Sequence, residues 1–266
     1  GISSSYKACV SLAGGVPITV PTGIETEFRI TVEQLEKYVT PKTKALIIGY
    51  PNNPTGAIMP KDELLKIASF AERHDLIVIS DEIYSNLTYE ATHTCFATLP
   101  NMQDRTIVLN GFSKSYAMTG WRIGYALANH EFISSMNKIH QYTMLCAPIT
   151  AQVGALEALR HGKIHMKKMV AEYDRRRKLI YEGFKNMGLN CFEPKGAFYI
   201  FPSIANTGMD SLEFAEKLLR SEKVALVPGN AFGDSGNGFI RCSYATSINK
   251  IDEALVRIER FLQQNC

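Results

Sequence analysis

The first half of the chain contains two kinds of segment, which differ in how their apolar and polar positions are arranged. ALIIGY (45–50), LIVIS (76–80) and TIVLN (106–110) are short apolar runs with the length of buried strands. PKDELLKIASFAERHD (60–75) instead repeats its apolar positions with a helical period. WRIGYALA (121–128) has the composition of a further strand. Apolar strands that alternate with helices predict an α/β fold with a mostly parallel sheet and helices on both faces.

The pattern changes after about residue 129, where long helical periods dominate. Short strands and helices then alternate up to the C-terminus. We therefore predict a large domain over residues 1–168 and a smaller C-terminal α+β domain over residues 169–266. The predicted helices are HEFISSMNKIHQY, ITAQVGALEALRHG, residues 163–187, SLEFAEKLLRSE and KIDEALVRIERFLQQ, and the predicted strands are CFEP (191–194), GAFYIFP, VALVP and GFIRCSY.

Composition and charge narrow the class of protein. Of the 266 residues, 45% are hydrophobic and 21% are charged, which is ordinary for a globular protein. The net charge of +3 is too balanced to indicate a nucleic acid or an anionic membrane as partner. The dense basic run RRRK (175–178) is interpreted as the solvated face of a helix. No run approaches the roughly 18 apolar residues of a membrane span, and we expect a soluble cytoplasmic protein.

The cysteines give no sign of a metal site. They form no CxxC pair and have no companion histidines at ligand spacing, so no bound metal is predicted. Their mostly apolar surroundings favour free thiols in a reducing compartment. The six positions are Cys9, Cys95, Cys146, Cys191, Cys242 and Cys266.

Polar residues follow three of the predicted strands. Asn53 comes after ALIIGY, Asp81 and Tyr84 after LIVIS, and Lys114 after TIVLN. Taken singly, each has an ordinary explanation, because Asn53 before Pro54 is good turn chemistry and exposed Asp and Lys are common. Ligands of open α/β sheets, however, bind at the carboxyl ends of the strands. The order of these residues therefore predicts that they converge on one site.

Two arginines lie in apolar segments that are predicted to be strands. Arg122 is in WRIGY and Arg241 is in FIRCSY. A buried charge without a partner is very costly, so each arginine is expected to hold a carboxylate or a phosphate of the protein or of a ligand.

Together these residues match the needs of pyridoxal phosphate (PLP). This cofactor requires a lysine for a Schiff base, an acid at its pyridine nitrogen, donors for its phenolic oxygen and a cation for its phosphate. Arg241 would remain for the α-carboxylate of a substrate, which a guanidinium binds with two hydrogen bonds. The residues for the cofactor are, in that order, Lys114, Asp81, Asn53 with Tyr84, and Arg122.

Six strings that are spread over residues 50–247 resemble the class I, fold type I PLP-dependent aminotransferases, in the bacterial-type branch similar to aspartate aminotransferases. The lysine string with RIGYA is the most specific of them, whereas NPTG alone is weak. The strings are YPNNPTG (50–56), SDEIY (80–84), NGFSKSYAMTGWRIGYA (110–126), KGAFYIF (195–201), LVPGNAFG (226–233) and IRCSYATS (240–247).

The resemblance implies a role for each residue. It implies that Lys114 forms the Schiff base and that Asp81 pairs with the pyridine nitrogen. Ser113 is implied as a further cofactor contact and Tyr199 as packing or site wall, whereas Gly111 stands where some relatives carry a phosphate-binding serine. The remaining implied contacts are Tyr84 and Asn53 to the phenolic oxygen, Arg122 to the phosphate, and Arg241 with Asn53 to the substrate.

The resemblance also implies features beyond the printed chain. Family members usually have a further N-terminal part that contains early strands and a helix whose N-terminus cradles the cofactor phosphate. We therefore expect the large domain to be partial and the protein to form a homodimer with sites at the interface. Ser3 stands where aspartate-type relatives often carry an aromatic residue that stacks on the cofactor.

The expected function is transfer of an amino group between an amino acid and a 2-oxo acid. Two alternatives remain at this point. One is a PLP-dependent carbon–sulfur lyase or a related enzyme of the same fold, and the other is a truncated, non-catalytic member of the family. The sequence does not specify the amino donor.

Overall fold

The computed structural model of the protein describes residues 4–265, so Ser3 and Cys266 lie outside the described range. Internal contacts divide the described chain into two units. The four-stranded unit comprises Thr31–Pro51 and Ile58–Val170, and the three-stranded unit comprises the described part of residues 1–30, Asn52–Ala57 and the described part of residues 171–266. The domain boundary between residues 168 and 169 stays a prediction.

The predicted helices and strands occur in the predicted order, apart from the strand expected at residues 191–194, and the first two helices, which precede them, were not predicted. The helices are α1 (Ser4–Leu12), α2 (Val32–Glu36), α3 (Lys61–Arg73), α4 (His130–Thr143), α5 (Ile149–His161), α6 (Lys163–Asn186), α7 (Ser211–Glu222) and α8 (Ile248–Asn265). The strands are β1 (Ala45–Gly49), β2 (Ile77–Asp81), β3 (Thr106–Gly111), β4 (Gly124–Leu127), β5 (Tyr199–Ile200), β6 (Val227–Pro228) and β7 (Ile240–Ser243).

The four-stranded unit contains the predicted, mostly parallel sheet. Its strand order is β1-β2-β3-β4, with β1, β2 and β3 parallel and β4 antiparallel to β3. Gly49 is paired with Asp81, and Asp81 with Leu109, so the three parallel strands end at one edge of the sheet. The fold prediction is therefore confirmed for this sheet.

Helix α3 shows how the sequence pattern becomes packing. Its buried face consists of Leu64, Ile67, Ala68, Phe70 and Ala71, which recur at the spacing of one side of a helix. Acidic residues stand in the first turn and Arg73 stands in the last turn, where each charge complements the helix dipole. The crossover between β1 and β2 is thus a helix with one apolar face.

The three-stranded unit has an antiparallel sheet in the order β5-β7-β6. An aromatic cluster covers part of it, in which the Phe28 ring lies 5.9 Å from the Phe201 ring and 5.7 Å from the Phe239 ring. Helices α7 and α8 contact each other through Phe214 and Phe261, whose rings are 5.2 Å apart. The central strand of this sheet, β7, carries Arg241.

The strand predicted at CFEP (191–194) does not form. Pro194 has no N–H for a strand ladder, and its carbonyl oxygen accepts a hydrogen bond from Arg177 Nη1 at 3.1 Å. The side chain of Glu193 is directed to the same arginine, with Oε1 2.6 Å from Nη1. These contacts hold the segment that follows helix α6 against Arg177 of that helix, and the segment does not extend a sheet.

The interpretation of RRRK (175–178) as a solvated face is wrong at one position. Arg175 is exposed, but the side chain of Arg177 has 0% exposure. Besides Glu193 and Pro194, Arg177 contacts Asp174, whose Oδ1 accepts a hydrogen bond from Nε at 2.8 Å. Arg177 is therefore a buried cation held by two carboxylates.

Replacing Arg177 with leucine is expected to lower the free energy of unfolding by about 3 kcal/mol, because two carboxylates lose their buried partner. Arg175→Leu is the matched control on the same helix, and a much smaller change is expected there because Arg175 is exposed. Urea unfolding of both variants measures the difference. Equal losses in the two variants would contradict a structural role for Arg177.

The described cysteines are free thiols, as predicted. Burial raises the pKa of Cys95 to about 11, with a smaller contribution from the negative charge of Glu82. Burial likewise raises the pKa of Cys242 to about 12. Thiols with such pKa values carry little thiolate at neutral pH and are poor nucleophiles.

Residues 4–265 contain neither a membrane-spanning helix nor a cluster of metal-ligating side chains. No helix in this range is long and apolar enough to cross a membrane. The same residues contain no group of three or more His, Cys, Asp or Glu side chains that could hold a metal ion.

Candidate active site

An amine, a phenol and a carboxyl group are carried by neighbouring segments of the four-stranded unit. Asp81 is the last residue of β2, and Lys114 follows the end of β3, the neighbouring parallel strand. The Nζ atom of Lys114 lies 5.8 Å from the ring centroid of Tyr84, within the range of a cation–π contact. Tyr84 itself is buried. Sheet topology thus brings residues from two separate loops to one place.

The carboxyl group of Asp81 is half-buried, and Oδ1 accepts a hydrogen bond from the backbone N–H of Ile83 at 3.1 Å. Burial raises the pKa of Asp81, the hydrogen bond from Ile83 opposes this shift, and the negative charge of Glu82 adds to it. Asp81 consequently binds a proton more readily than an exposed aspartate. This property suits a carboxyl group that shares a proton with a ring nitrogen.

The pKa of the next residue, Glu82, is shifted in the opposite direction. Its buried carboxylate accepts hydrogen bonds from the Ser80 hydroxyl at 3.0 Å and from the Phe96 N–H at 2.9 Å, and it lies 2.7 Å from His93 Nε2. Burial alone would raise the pKa of Glu82, but these contacts outweigh it and lower the pKa. Glu82 therefore anchors the end of β2 as a carboxylate, immediately beside Asp81.

Glu82→Gln is expected to reduce the free energy of unfolding by about 2 kcal/mol at pH 7, because hydrogen bonds to a charged acceptor are lost. The folded protein lowers the pKa of Glu82 below its ordinary value of 4.5, so the carboxylate stabilises the fold above that pH. The difference between wild type and variant should shrink as the pH falls below 4.5.

Urea unfolding at several pH values measures this effect. Glu36→Gln is the control, since Glu36 pairs with Arg73 and His74 on the surface, and its effect should be smaller. A difference for Glu82→Gln that stayed constant down to acidic pH would show that the charge of Glu82 is not what stabilises the fold.

The turn that carries Ser113 and Lys114 is held by its apolar neighbours. Phe112 and Met118 are buried in one cluster with Ala155 of helix α5. Backbone N–H groups of Tyr116 and Met118 both donate to the carbonyl oxygen of Phe112, at 3.1 and 3.3 Å. Ser113 and Lys114 are half-buried between these anchors. The backbone of the lysine turn is thus fixed on both sides of the functional residues.

Gly111 lies at the end of β3, opposite Gly124 of β4. A Cβ atom at Gly111 would be 3.0 Å from the Cα of Gly124 and 3.1 Å from the carbonyl oxygen of Ile123. Glycine therefore allows β4 to approach closely at the position where some relatives carry serine.

Gly111→Ser is expected to cost roughly 1–3 kcal/mol of stability, because the added atoms crowd the backbone of β4. Gly120→Ser is the matched control, since no atom lies within 4 Å of a Cβ built there. Thermal unfolding of the two variants checks the prediction. A Gly111→Ser variant as stable as Gly120→Ser would show that the close approach is not required.

Arg122 does not lie inside a strand, contrary to the sequence prediction. Strand β4 begins at Gly124, and Arg122 follows a 3-10 helix (Thr119–Trp121) with left-handed backbone angles, φ 54 and ψ 50. Its side chain is exposed, and Nη1 donates to the carbonyl oxygen of Thr119 at 2.7 Å. Arg122 is therefore not a buried charge, and its role in phosphate binding stays a prediction.

Arg241 meets Asn53 in the three-stranded unit. Its Nη1 donates to Asn53 Oδ1 at 2.8 Å. Its guanidinium carbon lies 4.5 Å from the ring centroid of Tyr199 and 4.8 Å from that of Phe232. Nε is buried and has no hydrogen-bond partner among the described residues. The groups that contact Arg241 are thus an amide and two aromatic rings, all of them neutral, and its positive charge remains available to an anion.

The structure distributes the predicted site residues over the two units. Asp81, Tyr84, Ser113, Lys114 and Arg122 belong to the four-stranded unit, and Asn53 and Arg241 belong to the three-stranded unit. Within the units, Lys114 contacts Tyr84 and Arg241 contacts Asn53. The individual roles of these residues in binding cofactor and substrate stay predictions.

Sequence reasoning missed several neighbours of the site. Glu82 is visible as a second acid after β2, but nothing in the sequence connects it with His93. Phe232 lies in the quoted string LVPGNAFG, and its contact with Arg241 depends on the pairing of β6 with β7. Long-range pairs of this kind have no signal in a single sequence.

The chain is similar to a known protein family over nearly its whole length. A family model described as "Aminotransferase class I and II" matches residues 2–258. The YugH protein of Bacillus subtilis (strain 168) is 54% identical over 260 residues, which cover 98% of this chain and 67% of that protein. An aspartate aminotransferase of Pyrococcus abyssi is 50% identical, and the match covers 98% of this chain and 68% of that protein. The chain thus spans about two thirds of the length of these relatives.

A solved structure agrees with the sequence comparison. The aromatic aminotransferase from Pyrococcus horikoshii OT3 superimposes with a TM-score of 0.96 at 49% identity, covering 98% of this chain and 71% of that chain. The fold is therefore the fold type I of PLP-dependent aminotransferases, as the sequence predicted.

This chain belongs to the class I and II aminotransferase family. It is an aminotransferase, an enzyme class whose substrates are amino acids and oxo acids. Enzymes of this family are known to use PLP.

Proposed function

We propose that this aminotransferase binds PLP through Asp81, Tyr84, Ser113, Lys114 and Arg122. The observation that carries the proposal is the arrangement at the ends of β2 and β3, where the amine of Lys114, the phenol of Tyr84 and the carboxyl of Asp81 share one unit. This set of groups fits the aldehyde, the phenolic oxygen and the pyridine nitrogen of the cofactor.

When bound, PLP supplies an aldehyde and an electron-accepting ring, on which an amino group is exchanged between two substrates. Lys114 would hold the cofactor through its Nζ amine, and the same amine would act as the base that takes a proton from the substrate Cα. Asp81 would hold a proton at the pyridine nitrogen, and the resulting positive charge would in turn favour the carboxylate form of Asp81.

The other cations would bind anionic groups. Arg122 is exposed and can reach a phosphate with donors that Thr119 does not occupy. Arg241 would bind the α-carboxylate shared by the amino acid and the 2-oxo acid, and Asn53 would contact the same substrate while it fixes the guanidinium. Asn53 would also donate to the phenolic oxygen of the cofactor, as the resemblance implies.

The relatives support two classes of amino donor. One is named an aspartate aminotransferase, and the solved structure is named an aromatic aminotransferase. We propose acidic and aromatic amino acids as the donors to be tried first, with 2-oxoglutarate as acceptor.

We further propose a cytoplasmic homodimer. Exposed apolar side chains on α4 and α5, which include Ile139, Tyr142, Val153 and Leu156, support a protein partner for the four-stranded unit. Free cysteines support a reducing compartment. Sedimentation of the PLP-loaded protein would test the dimer, and a monomer at micromolar concentration would contradict it.

Product analysis tests the reaction. The full protein with PLP is incubated with aspartate or phenylalanine and 2-oxoglutarate, and glutamate is measured. Aminotransfer predicts glutamate in proportion to consumed donor. Formation of pyruvate and ammonia from a cysteine-type substrate without glutamate would instead support a carbon–sulfur lyase. An absorbance spectrum without a PLP band would support a non-catalytic member.

Lys114→Ala is expected to reduce turnover by roughly 10²–10⁴-fold or more, because the base that moves the proton is removed. Lys61→Ala changes an exposed lysine of α3 and is the matched control, for which wild-type turnover is expected. Glutamate formation under identical conditions gives the comparison. Full activity of Lys114→Ala would refute the proposed role.

A further inference from the structure

The guanidinium group of Arg241 is enclosed by two aromatic rings. Its central carbon lies 4.5 Å from the ring centroid of Tyr199 and 4.8 Å from that of Phe232. Both distances are within the roughly 6 Å at which a ring face attracts a cation. Tyr199 comes from β5 and Phe232 from the turn after β6, so the two rings reach Arg241 from different strands.

The two rings are themselves held in place. The Phe198 ring is 4.7 Å from the Tyr199 ring, and the Phe201 ring meets the Phe232 ring edge-on at 6.2 Å. The turn that carries Phe232 depends on Gly229, because a Cβ there would lie 2.0 Å from the carbonyl oxygen of Gly236. The rings are therefore part of a packed cluster and not flexible surface groups.

The hydrogen bonds of Arg241 define the donors that remain. Nη1 donates to Asn53, and Nε is buried. A carboxylate that approaches the guanidinium therefore meets the terminal nitrogens, Nη1 and Nη2. Planar guanidinium and planar carboxylate form paired hydrogen bonds only when the two planes are aligned.

We propose that Tyr199 and Phe232 are positioning residues, here called the aromatic clamp, that fix the plane of Arg241 for the substrate carboxylate. An arginine side chain loses substantial rotamer freedom when it is immobilised, and a clamp in the free enzyme removes that cost from substrate binding. This inference rests on the proposed role of Arg241. The aromatic clamp raises the affinity of Arg241 for carboxylates and takes no part in the chemical step.

The test compares variants of Phe232 in the PLP-loaded full protein. Phe232→Leu and the volume-conserving Phe232→Met remove the ring face, and Phe232→Tyr keeps it as the rescue variant. Two quantities are measured, the KM for 2-oxoglutarate and the Kd for glutarate, an unreactive dicarboxylate without the carbonyl group. We expect both to rise roughly ten-fold in the Leu and Met variants. The kcat at saturation should change less than about two-fold, because the substitution weakens binding of the substrate and of the transition state equally. Phe232→Tyr should give wild-type values of KM and Kd.

Phe239→Leu is the matched control within the same aromatic cluster. The Phe239 ring stacks on the Phe201 ring at 5.1 Å, and Phe239 is not one of the two rings over Arg241. This variant is expected to lower stability while the Kd for glutarate stays at the wild-type value. An equal rise in Kd in Phe239→Leu would show that general packing, not the clamp, sets the affinity.

Arg241→Ala separates failure of the clamp from failure of the proposed function. If Arg241→Ala weakens glutarate binding but both Phe232→Leu and Phe232→Met bind it as wild type does, the clamp is refuted and the carboxylate site stands. If Arg241→Ala itself binds glutarate normally, the proposed role of Arg241 is refuted. A fall in kcat without a change in KM in the Phe232 variants would also overturn the clamp.

Discussion

The parallel register of β1, β2 and β3 determines what the four-stranded unit can do. Because Gly49, Asp81 and Leu109 are in register, the loops after these strands begin at one edge of the sheet. Lys114, which follows β3, and Asp81, which ends β2, therefore belong to segments at this same edge, although they are far apart in the sequence. The antiparallel strand β4 then closes over the end of β3, and this approach requires Gly111.

Adjacent carboxyl groups at this edge have different electrostatic surroundings. Burial and a neighbouring negative charge raise the pKa of Asp81, whereas hydrogen bonds from Ser80, Phe96 and His93 lower that of Glu82 despite its burial. Asp81 is the last residue of β2 and Glu82 lies just beyond the strand, and the two acids have different hydrogen-bond partners. Glu82 serves the fold as a fixed anion, whereas the pairing of Asp81 with a pyridine nitrogen stays a proposal.

Much of this arrangement could be predicted from the sequence. The strands around ALIIGY, LIVIS and TIVLN were identified because buried parallel strands are apolar throughout, and the residues after them were candidates for the same reason. Predictions from local sequence patterns are wrong at positions where contacts between distant parts of the chain determine the structure. Arg177 looked like part of a solvated face but is buried against Asp174 and Glu193, and Arg122 looked like part of a strand that begins two residues later. The rings around Arg241 depend on strand pairing, which a single sequence does not display.

We propose that Lys114, placed by β3, carries the cofactor. Reduction of the PLP-loaded protein with borohydride, followed by mass mapping of its peptides, tests this role. We expect the mass of a reduced phosphopyridoxyl group on the peptide that contains Lys114, and no such addition without PLP. The modification of another lysine with Lys114 unmodified would contradict it.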